Sequence, residues 1–290
     1  MLRLKSFTLG IIFLCSCAMM YVAFFGENEY TMENKSLGVN PVEDKFIFEG
    51  PAVKMDDPFL IDGIRKHFLV PPADSSIPYA LQKPNIKDTS MGQAAKIREV
   101  LKNMTNGFFV EAGALDGETR SNTLYMEKEL GWKGLLVEAD PLNFAQLITR
   151  NRRAWSTPIC LSTKPHPMKV SFKQQANVGK ISNHEVGASI PGHVDVQCLP
   201  LYSLLLALNV STVHYFSLDV EGFELEVLQT IPFDKVDIQT LSVEFFHGQM
   251  NKNDQRKWME EKGYRVYAEV THPQNLANDF IFVKKTLFPE

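Results

Sequence analysis

Residues 107–119, GFFVEAGALDGET, decide the fold. The apolar run 108–110 ends in an acid, Glu111, and two glycines four residues apart follow it, Gly113 and Gly117. This pattern predicts a buried strand that enters a tight turn and then a helix. Open α/β sheets use such a turn to present backbone N–H groups to a nucleotide-like ligand.

A second stretch, GLLVEADP at 134–141, repeats the plan, because its apolar run ends in Glu138, 21 residues after Gly117. An acid at the tip of the second strand is placed to accept hydrogen bonds from ribose hydroxyls. Each stretch alone is a weak signal. At this spacing, the two together indicate a cofactor that contains adenosine.

Strand and helix patterns alternate from residue 90 onward. Further strands are predicted at about 157–162, 213–220, 238–245, 264–270 and 279–285. Helical patterns separate most of them, which is typical of a mostly parallel, doubly wound sheet. The last two strands have only a loop between them and predict an antiparallel hairpin at one edge. The region 163–199 is less regular and contains only short β-like pieces.

The N-terminal region predicts a membrane anchor. Residues 7–25 carry no charge and are long enough to span a bilayer. Two basic residues precede this run and two acidic residues follow it, so the positive-inside rule places the rest of the chain in the lumen. The alternative is a cleaved signal peptide. The run is longer than a usual h-region, however, and Phe24 and Phe25 stand where a cleavage site needs small residues.

Four segments follow from these patterns: a cytosolic tail at 1–6, a transmembrane signal-anchor at 7–25, a lumenal stem at 26–88 and a globular domain at 89–290. Prolines recur through the stem and disfavour a compact core there. Within it, residues 57–72 have helical periodicity and predict a short helix docked on the domain.

Composition limits the partners. The net charge is −4 and no basic stripe appears, which argues against a nucleic-acid partner. His166, His184 and His193 lack metal-ligand spacing, so no metal site is predicted. The NRR sequence at 151–153 is interpreted as a solvated helix end rather than an anion site.

Lumenal exposure bears on the cysteines and on three asparagines. Cys160 and Cys198 lie beyond the anchor, and the sequence leaves open whether they form a disulfide. Three glycosylation sequons, whose use the sequence also leaves open, begin at Asn34, Asn103 and Asn209.

The order of several motifs resembles the FkbM-type methyltransferase family. The segments are FFVEAGALDGE, SNTLYMEKELGWKGLLVEADP, NRRAW, CLS and YFSLDVEGFELEVL, within about residues 90–285. Within that family the anchor, the stem segment IRKHFLVPP and SMGQ resemble the Star-like single-pass membrane proteins. The resemblance implies an α/β, Rossmann-like class I S-adenosylmethionine (SAM) methyltransferase fold. Its seven-stranded, mostly parallel sheet has the strand order 3-2-1-4-5-7-6.

The resemblance also implies cofactor contacts, which are Glu111, Gly113, Ala114, Gly117, Glu138 and Asp140. The small residues let the backbone approach the methionine part, Glu111 suits the ammonium group, and Glu138 binds the ribose with Asp140 beside it. One departure from the family pattern is Leu115, where bacterial members commonly have Asn.

The segment LDVEG places Asp219 and Glu221 at the end of the fourth strand, where ligands bind in such sheets. We interpret one of them as the group that orients or deprotonates an acceptor hydroxyl. The alternative is that Asp219 only caps the next helix. Glu244 and His247 follow the fifth strand and point to the same crevice, and His247 is a third catalytic candidate.

Two functions follow from the resemblance. The first is a membrane-anchored enzyme that binds SAM and O-methylates a hydroxyl of a small molecule or glycan. The second is a non-catalytic, Star-like factor for vesicle-mediated transport of membrane-tethered ligands from the endoplasmic reticulum to the Golgi, with a membrane-protein cargo. Either is expected in the endoplasmic reticulum, Golgi or endosomes with a lumenal C-terminal domain. Glu111, Glu138 and Asp219 favour the enzyme, which is the first expectation. Leu115, and the conflict between a lumenal site and the cytosolic synthesis of SAM, favour the transport factor.

Overall fold

The computed structural model describes residues 48–247, 251–274 and 276–288. No helix among them is long and apolar enough to cross a bilayer. The predicted tail and signal-anchor, and the first part of the predicted stem, lie outside the described residues. The compact unit that contains the described chain is Asp44–Glu290.

Helices and strands alternate as the sequence predicts. The helices are α1 (Pro58–His67), α2 (Gln93–Val100), α3 (Leu124–Leu130), α4 (Pro141–Ile148), α5 (Leu201–Ala207), α6 (Glu224–Gln229) and α7 (Lys252–Glu261). The strands are β1 (Phe108–Ala112), β2 (Lys133–Val137), β3 (Trp155–Thr157), β4 (Cys160–Leu161), β5 (Met168–Lys173), β6 (Lys180–Ser182), β7 (His193–Leu199), β8 (Thr212–Leu218), β9 (Asp237–Glu244), β10 (Tyr264–Thr271) and β11 (Asn278–Lys284).

The main sheet has seven strands in the order β3-β2-β1-β8-β9-β11-β10. Its first five strands are parallel, and β11 is antiparallel to both β9 and β10. This arrangement confirms the predicted class I order and the predicted edge hairpin. Because β1 lies between β2 and β8, the parallel strands around it deliver their C-terminal residues to one edge.

Each face of the main sheet is covered by helices. Successive residues of β1 point to opposite faces: Phe109 packs with α2, α3 and α4, whereas Val110 packs with α1, α5, α6 and α7. Both side chains are fully buried, and burial of one such side chain contributes about 1.5–3 kcal/mol. The two apolar faces make the sheet doubly wound.

A second sheet covers the irregular region of the sequence. Its order is β4-β7-β5-β6, and Cys160 and Cys198 are register partners joined by a disulfide, with their Cα atoms 4.4 Å apart. The third strand of the main sheet is 155–157, so it ends before Cys160, unlike the predicted strand 157–162. Cys160 instead begins the second sheet.

Residues 69–83, here called the strap, run along the free edge of β3. Val70 and Ser156 exchange backbone hydrogen bonds of 2.8 and 3.0 Å. The carboxylate of Glu118 accepts the backbone N–H groups of Gln82 and Lys83 at 2.7 and 2.6 Å. The strap protects a sheet edge that would otherwise be unpaired.

The domain therefore begins earlier than its predicted start at residue 89. The described part of the predicted stem, 48–88, is built into the compact unit: Phe48, Leu60 and Ile64 belong to the main core. The prolines of this segment do break regular structure, but carbonyl groups among them accept hydrogen bonds from the half-buried Arg153. Helix α1 is the docked helix that the periodicity of 57–72 predicts.

Candidate active site

A cleft with about 980 Å³ of empty space, including its mouth, opens at the C-terminal edge of β1, β2 and β8. Its floor is the end of these strands. Apolar side chains from the β3–β4 segment and the second sheet line another side, among them Ile159, Leu161 and Phe172. A mostly apolar cleft with a few polar groups on its floor is typical of a cofactor site.

Gly113 and Ala114 form the turn after β1 and line the cleft. Their N–H groups donate to the carbonyl of Val137 at 3.0 and 3.1 Å, which fixes the turn across the two strands. Gly113 has a φ of +85°, and a Cβ there would overlap the carbonyl oxygen of Asp219. Only glycine fits here, and its surface toward the cleft is bare backbone that a ligand can approach closely.

Leu115 adopts a φ of +51°, a left-handed conformation in which Asn is more favourable than Leu. Its N–H donates to the carboxylate of Glu138 at 2.7 Å. The backbone conformation explains why an Asn is suited to this position. The cofactor loop and the second acid are therefore joined directly.

Glu138 lines the cleft at the end of β2 and is 5% exposed. Its Oε1 also accepts the N–H of Asp140 at 2.9 Å. Burial raises the pKa of Glu138 to about 7, because desolvation of the charged form outweighs these hydrogen bonds. A carboxylate can accept about four hydrogen bonds, so lone pairs remain for a ligand.

Glu111 also lines the cleft, but its two oxygens already bind the segment before α3. They accept hydrogen bonds from the N–H of Asn122 at 2.6 Å and from the hydroxyls of Ser121 and Thr123 at 2.9 and 2.5 Å. Burial raises its pKa, and the nearby Arg152 opposes that rise. The geometry favours a role in shaping the loop over the predicted direct contact with an ammonium group.

Arg152 is 4% exposed and pairs with Glu127 at 2.9 Å. Its guanidinium also donates to the hydroxyls of Ser121 and Thr123. Arg150 is 6% exposed and pairs with Asp116 at 3.1 Å. The expectation of a solvated NRR end is therefore wrong for Arg152, because these buried carboxylates need its charge.

Arg150, Arg152 and the four acids around them are called the arginine-paired cluster. Its members are Glu111, Asp116, Glu118, Glu127, Arg150 and Arg152. Arg150 lies 3.4 Å from Glu118, the residue that holds the strap.

Asn122 is a cleft residue that the motif analysis missed. It is 8% exposed, its Nδ2 donates to the hydroxyl of Ser217 at 2.9 Å, and its Oδ1 is buried without a hydrogen-bond partner among the described residues. Asn122 lines the cleft, and its buried, unpartnered acceptor suits a cationic or N–H group of a ligand. The sequence signal for this role was the position of Asn122 in the segment that follows the strand carrying Glu111.

Two predicted cofactor residues do not line the cleft. Gly117 packs under the loop, where a Cβ would lie 3.0 Å from Leu147. Asp140 is 2% exposed and caps α4, accepting the N–H of Leu142 at 2.9 Å and an amide hydrogen of Gln174 at 2.8 Å. We therefore remove both from the predicted contact set, since one is a turn residue and the other a helix cap.

The LDVEG loop follows β8. The alternative reading of Asp219 as a helix cap is wrong, because α6 begins after Phe223 without a side-chain cap. Glu224 instead accepts the N–H groups of Val220 and Gly222 at 2.9 and 3.1 Å. Asp219 is open to the cleft, and desolvation by the surrounding protein raises its pKa to about 6.

Glu221 has a φ of +56°, a strained conformation for a residue other than glycine. Its Oε2 lies 3.0 Å from Nδ1 of His247, which lies 2.8 Å from Oε1 of Glu244. Burial, with nearby Asp219, raises the pKa of Glu221 to about 8. Strain of this kind persists where the surrounding structure holds a functional group in place.

Glu244 is 7% exposed, and burial raises its pKa to about 10. Across the sheet it faces another acid, Asp279, as register partner. Asp219, Glu221, Glu224 and Glu244 are called the acid cluster below. In the described parts of the chain, no Lys or Arg nitrogen lies within 4.0 Å of their carboxylates. His247 contacts Glu221 and Glu244, whereas Arg120, which lines the cleft, acts on Asp219 from farther away and opposes the rise in its pKa.

The mouth of the cleft widens into a second hollow of about 760 Å³. Glu221 and Phe223 line both spaces, so they mark the passage between them. Lys173, Lys180 and His247 line the outer space. Of the three predicted catalytic candidates, Asp219 lines the inner space, His247 lines the outer space and Glu221 lines both.

The methyltransferase FkbM domain model matches residues 111–266, which is more than half of the chain. This chain belongs to the FkbM methyltransferase family. It is a SAM-dependent methyltransferase-family domain, and its cofactor is SAM. Two observations fit that cofactor to this FkbM domain: the bare backbone at Gly113 allows a close approach, and Asn122 Oδ1 offers an acceptor to the ammonium group.

Several solved structures are similar to this FkbM domain. A methyltransferase FkbM from Methylobacillus flagellatus KT has a TM-score of 0.42 and 13% identity, covering 62% of this chain and 44% of that one. TrmK of M. capricolum in complex with S-adenosylhomocysteine has a TM-score of 0.37 and 9% identity, covering 65% and 67%. A methyltransferase from Pyrococcus furiosus has a TM-score of 0.35 and 15% identity, covering 66% and 82%.

The chain thus spans less than half of the length of the first of these proteins. The comparison with curated proteins gives no match.

Proposed function

We propose that this FkbM domain transfers a methyl group from SAM to a hydroxyl oxygen of a small molecule or glycan. The observation that carries the proposal is the carboxylate of Asp219, which is open to the cleft beside the cofactor loop at Gly113. With a pKa of about 6 it is ionised at neutral pH and able to accept a proton.

The chemistry asks little more of the protein than alignment. SAM supplies an electrophilic methyl group on a sulfonium. The residues of this chain hold the acceptor oxygen in line with it, exclude water and take up the hydroxyl proton at Asp219. Glu221 and His247 stand at the mouth, where the rest of the acceptor would lie.

For the cofactor, we assign contacts to Gly113, Ala114, Glu138 and Asn122. Glu138 accepts from the ribose hydroxyls, and Asn122 Oδ1 from the ammonium. Glu111 acts through the segment 121–123, whose shape it fixes, and is a positioning residue. The polar mouth favours a hydroxyl-rich acceptor, because a hydrophobic one would leave its charged residues unpaired.

The proposal includes a type II membrane topology. The uncharged run 7–25 supports a signal-anchor, which would carry the domain on the lumenal side of the endoplasmic reticulum, Golgi or endosomes. A protease-protection assay on sealed microsomes tests it: the domain should be cleaved only after detergent is added.

Calorimetry of the purified full chain with SAM tests the cofactor site. We expect binding that Glu138→Ala weakens at least tenfold, whereas Glu129→Ala, an exposed acid on α3, leaves it unchanged. Labelled SAM is then offered with a panel of monosaccharides and polyols, and Asp219→Asn should lower transfer without weakening SAM binding. The O-methyltransferase proposal fails if SAM does not bind at millimolar concentration.

A second candidate is the Star-like, non-catalytic transport factor. The disulfide between Cys160 and Cys198 favours it, because such bonds persist in oxidising compartments, whereas SAM is made in the cytosol. In that case the cleft or the sheet surface would hold a membrane-protein cargo. Capture of such a cargo by a chain that does not bind SAM would support this candidate against the first.

A further inference from the structure

We propose that Glu221, Glu244 and His247 bind a divalent metal cation at the mouth of the cleft. One carboxylate oxygen from each acid and one imidazole nitrogen converge so that all three atoms lie within 4.8 Å of one another. The ligands come from the LDVEG loop and from the end of β9. Glu244 and His247 are three residues apart, but Glu221 lies in a separate segment, so sequence spacing does not reveal the complete site.

The separations already suit a metal ion. Nδ1 of His247 lies 3.0 Å from Oε2 of Glu221 and 2.8 Å from Oε1 of Glu244. Neighbouring ligands around an ion with bonds of about 2.1 Å are about 3 Å apart. Small side-chain adjustments would therefore place all three atoms in one coordination sphere.

Hydrogen bonding among the three groups leaves a deficit. A neutral imidazole has one N–H to share between two carboxylates. Oε2 of Glu244 is buried and has no hydrogen-bond partner among the described residues, although the side chain is only 7% exposed. An unpartnered carboxylate oxygen at such depth, on a side chain that belongs to both groups of potential ligands, is a second observation that calls for a cation.

Surrounding charges strengthen that requirement. Asp219 and Glu224 lie with Glu244 in a second group whose oxygens are also within 4.8 Å of one another. The lysines at the mouth, Lys173 and Lys180, are not within 4.0 Å of these acids in the described structure. A doubly charged ion that displaces the protons of these acids compensates their carboxylates more completely than one imidazole can.

The donor set indicates the kind of metal. Two hard carboxylate oxygens and one imidazole nitrogen suit Mn²⁺ better than Mg²⁺, which prefers oxygen, or than a thiolate-preferring ion. Three protein ligands leave positions for water or for an acceptor's hydroxyl groups. Use of the ion to hold and acidify an acceptor hydroxyl rests on the proposed function, whereas binding of the ion does not.

The test is a titration of the purified, chelator-treated full chain with Mn²⁺ in the absence of SAM. Electron paramagnetic resonance measures the binding. We expect one Mn²⁺ per chain and a nitrogen coupling from the imidazole. Glu244→Gln should weaken binding at least tenfold, and His247→Gln should remove the nitrogen coupling. The matched control is Glu226→Gln on α6, outside the cluster, which should leave both unchanged.

Circular dichroism melting of each variant confirms that it is folded. The proposal is overturned if Mn²⁺ binds at far less than one equivalent, or if neither Glu244→Gln nor His247→Gln changes its binding, which would be an adventitious ion only. SAM calorimetry on the same samples separates the two proposals. Mn²⁺ binding without SAM binding would support the metal site and reject the methyltransferase proposal. SAM binding without Mn²⁺ binding would support the methyltransferase proposal and reject the metal site.

Discussion

Two groups of carboxylates, most of them buried, have opposite surroundings in this domain. In the arginine-paired cluster, Arg152 meets Glu127 at 2.9 Å and Arg150 meets Asp116 at 3.1 Å. In the acid cluster, no Lys or Arg nitrogen of the described residues lies within 4.0 Å of a carboxylate, and His247 contacts two of the four acids, Glu221 and Glu244. A charge removed from water needs a partner, so the first group is complete within the chain and the second is complete only with something that binds to it.

Whether an acid has a close partner within the protein distinguishes structural from functional acids better than their sequence context does. Glu111 and Asp219 both end parallel strands of the sheet and both precede glycine-containing loops. Only the contacts distinguish them: Glu111 is saturated by segment 121–123, whereas Asp219 is open to the cleft. A cleft-lining acid without a close protein partner is thus a better indicator of a ligand site than an acid in a motif.

The largest expected effect follows from a substitution that disrupts the arginine-paired cluster. Arg152→Met leaves Glu127 buried without its cation, and we expect the free energy of unfolding to fall by about 3–5 kcal/mol. Urea denaturation measures it. Arg256→Met, which removes an exposed pair with Glu260, is the control and should change little. Equal effects of the two substitutions would contradict the comparison.

The acid cluster should respond with the opposite sign. Glu244→Gln removes a carboxyl whose ionisation the fold opposes at neutral pH, and we expect the free energy of unfolding to rise by about 1–3 kcal/mol in metal-free buffer. Methyl transfer should fall in the same variant. Urea denaturation in the presence of a chelator, with Glu226→Gln as control, measures the first effect. A loss of stability would show that Glu244 is a structural acid.

Glu138 belongs to neither group, and its role can be tested by varying the pH. Its pKa is raised from 4.5 to about 7, so the folded state keeps a proton that the unfolded state has lost between these values. The stability that the neutral form contributes is complete below pH 4.5 and is lost as pH rises through about 7.

SAM affinity should move the other way, because ribose hydroxyls donate to the ionised carboxylate. Below pH 7 we expect affinity to rise by up to about tenfold per pH unit and then to level off. Calorimetry from pH 5.5 to 8 measures this, and Glu138→Gln should flatten the curve. An unchanged profile in that variant would assign the titration to another group.

The smallest expected effect concerns Leu115. Asn tolerates its left-handed backbone better than Leu, so Leu115→Asn should stabilise the fold by about 0.5 kcal/mol and tighten SAM binding slightly. Leu208→Asn, at a residue with helical backbone, should destabilise it instead. Thermal unfolding distinguishes the two. Destabilisation by Leu115→Asn would mean that the apolar contacts of Leu115 outweigh its strain.

Local patterns predicted much of the fold and part of the site. The apolar strands that end in Glu111 and Glu138, and the LDVEG segment, have signals within ten residues of chain, so the sheet order and Asp219, Glu221 and His247 could be placed in advance. The second sheet could not, because β4 has two residues and β6 has three, too short to show alternation. The sequence likewise could not show that Asn122 faces the cleft.

Errors arose where distant partners decide a residue's role. The prolines of the strap predict a linker because the sequence pattern does not reveal the contacts of Arg153. Its guanidinium donates hydrogen bonds to the carbonyls of Ala73 and Ile77. Gly117 and Asp140 fit the motif, yet Leu147 and the N-terminus of α4 determine where they lie. Whether Cys160 and Cys198 pair also depends on a fold that brings residues 38 apart into register.

The strap has a mechanical consequence. Because Glu118 grips the N–H groups of Gln82 and Lys83 and belongs to the loop that begins at Gly113, a pull on the N-terminal side of the strap acts on the cofactor loop. Glu118 and the backbone pairing at β3 are arranged in series, so they resist such a pull one after another. Because α1 precedes the strap and is itself packed into the core, a pull from the N-terminal side reaches the loop at Gly113 only after α1 has been displaced.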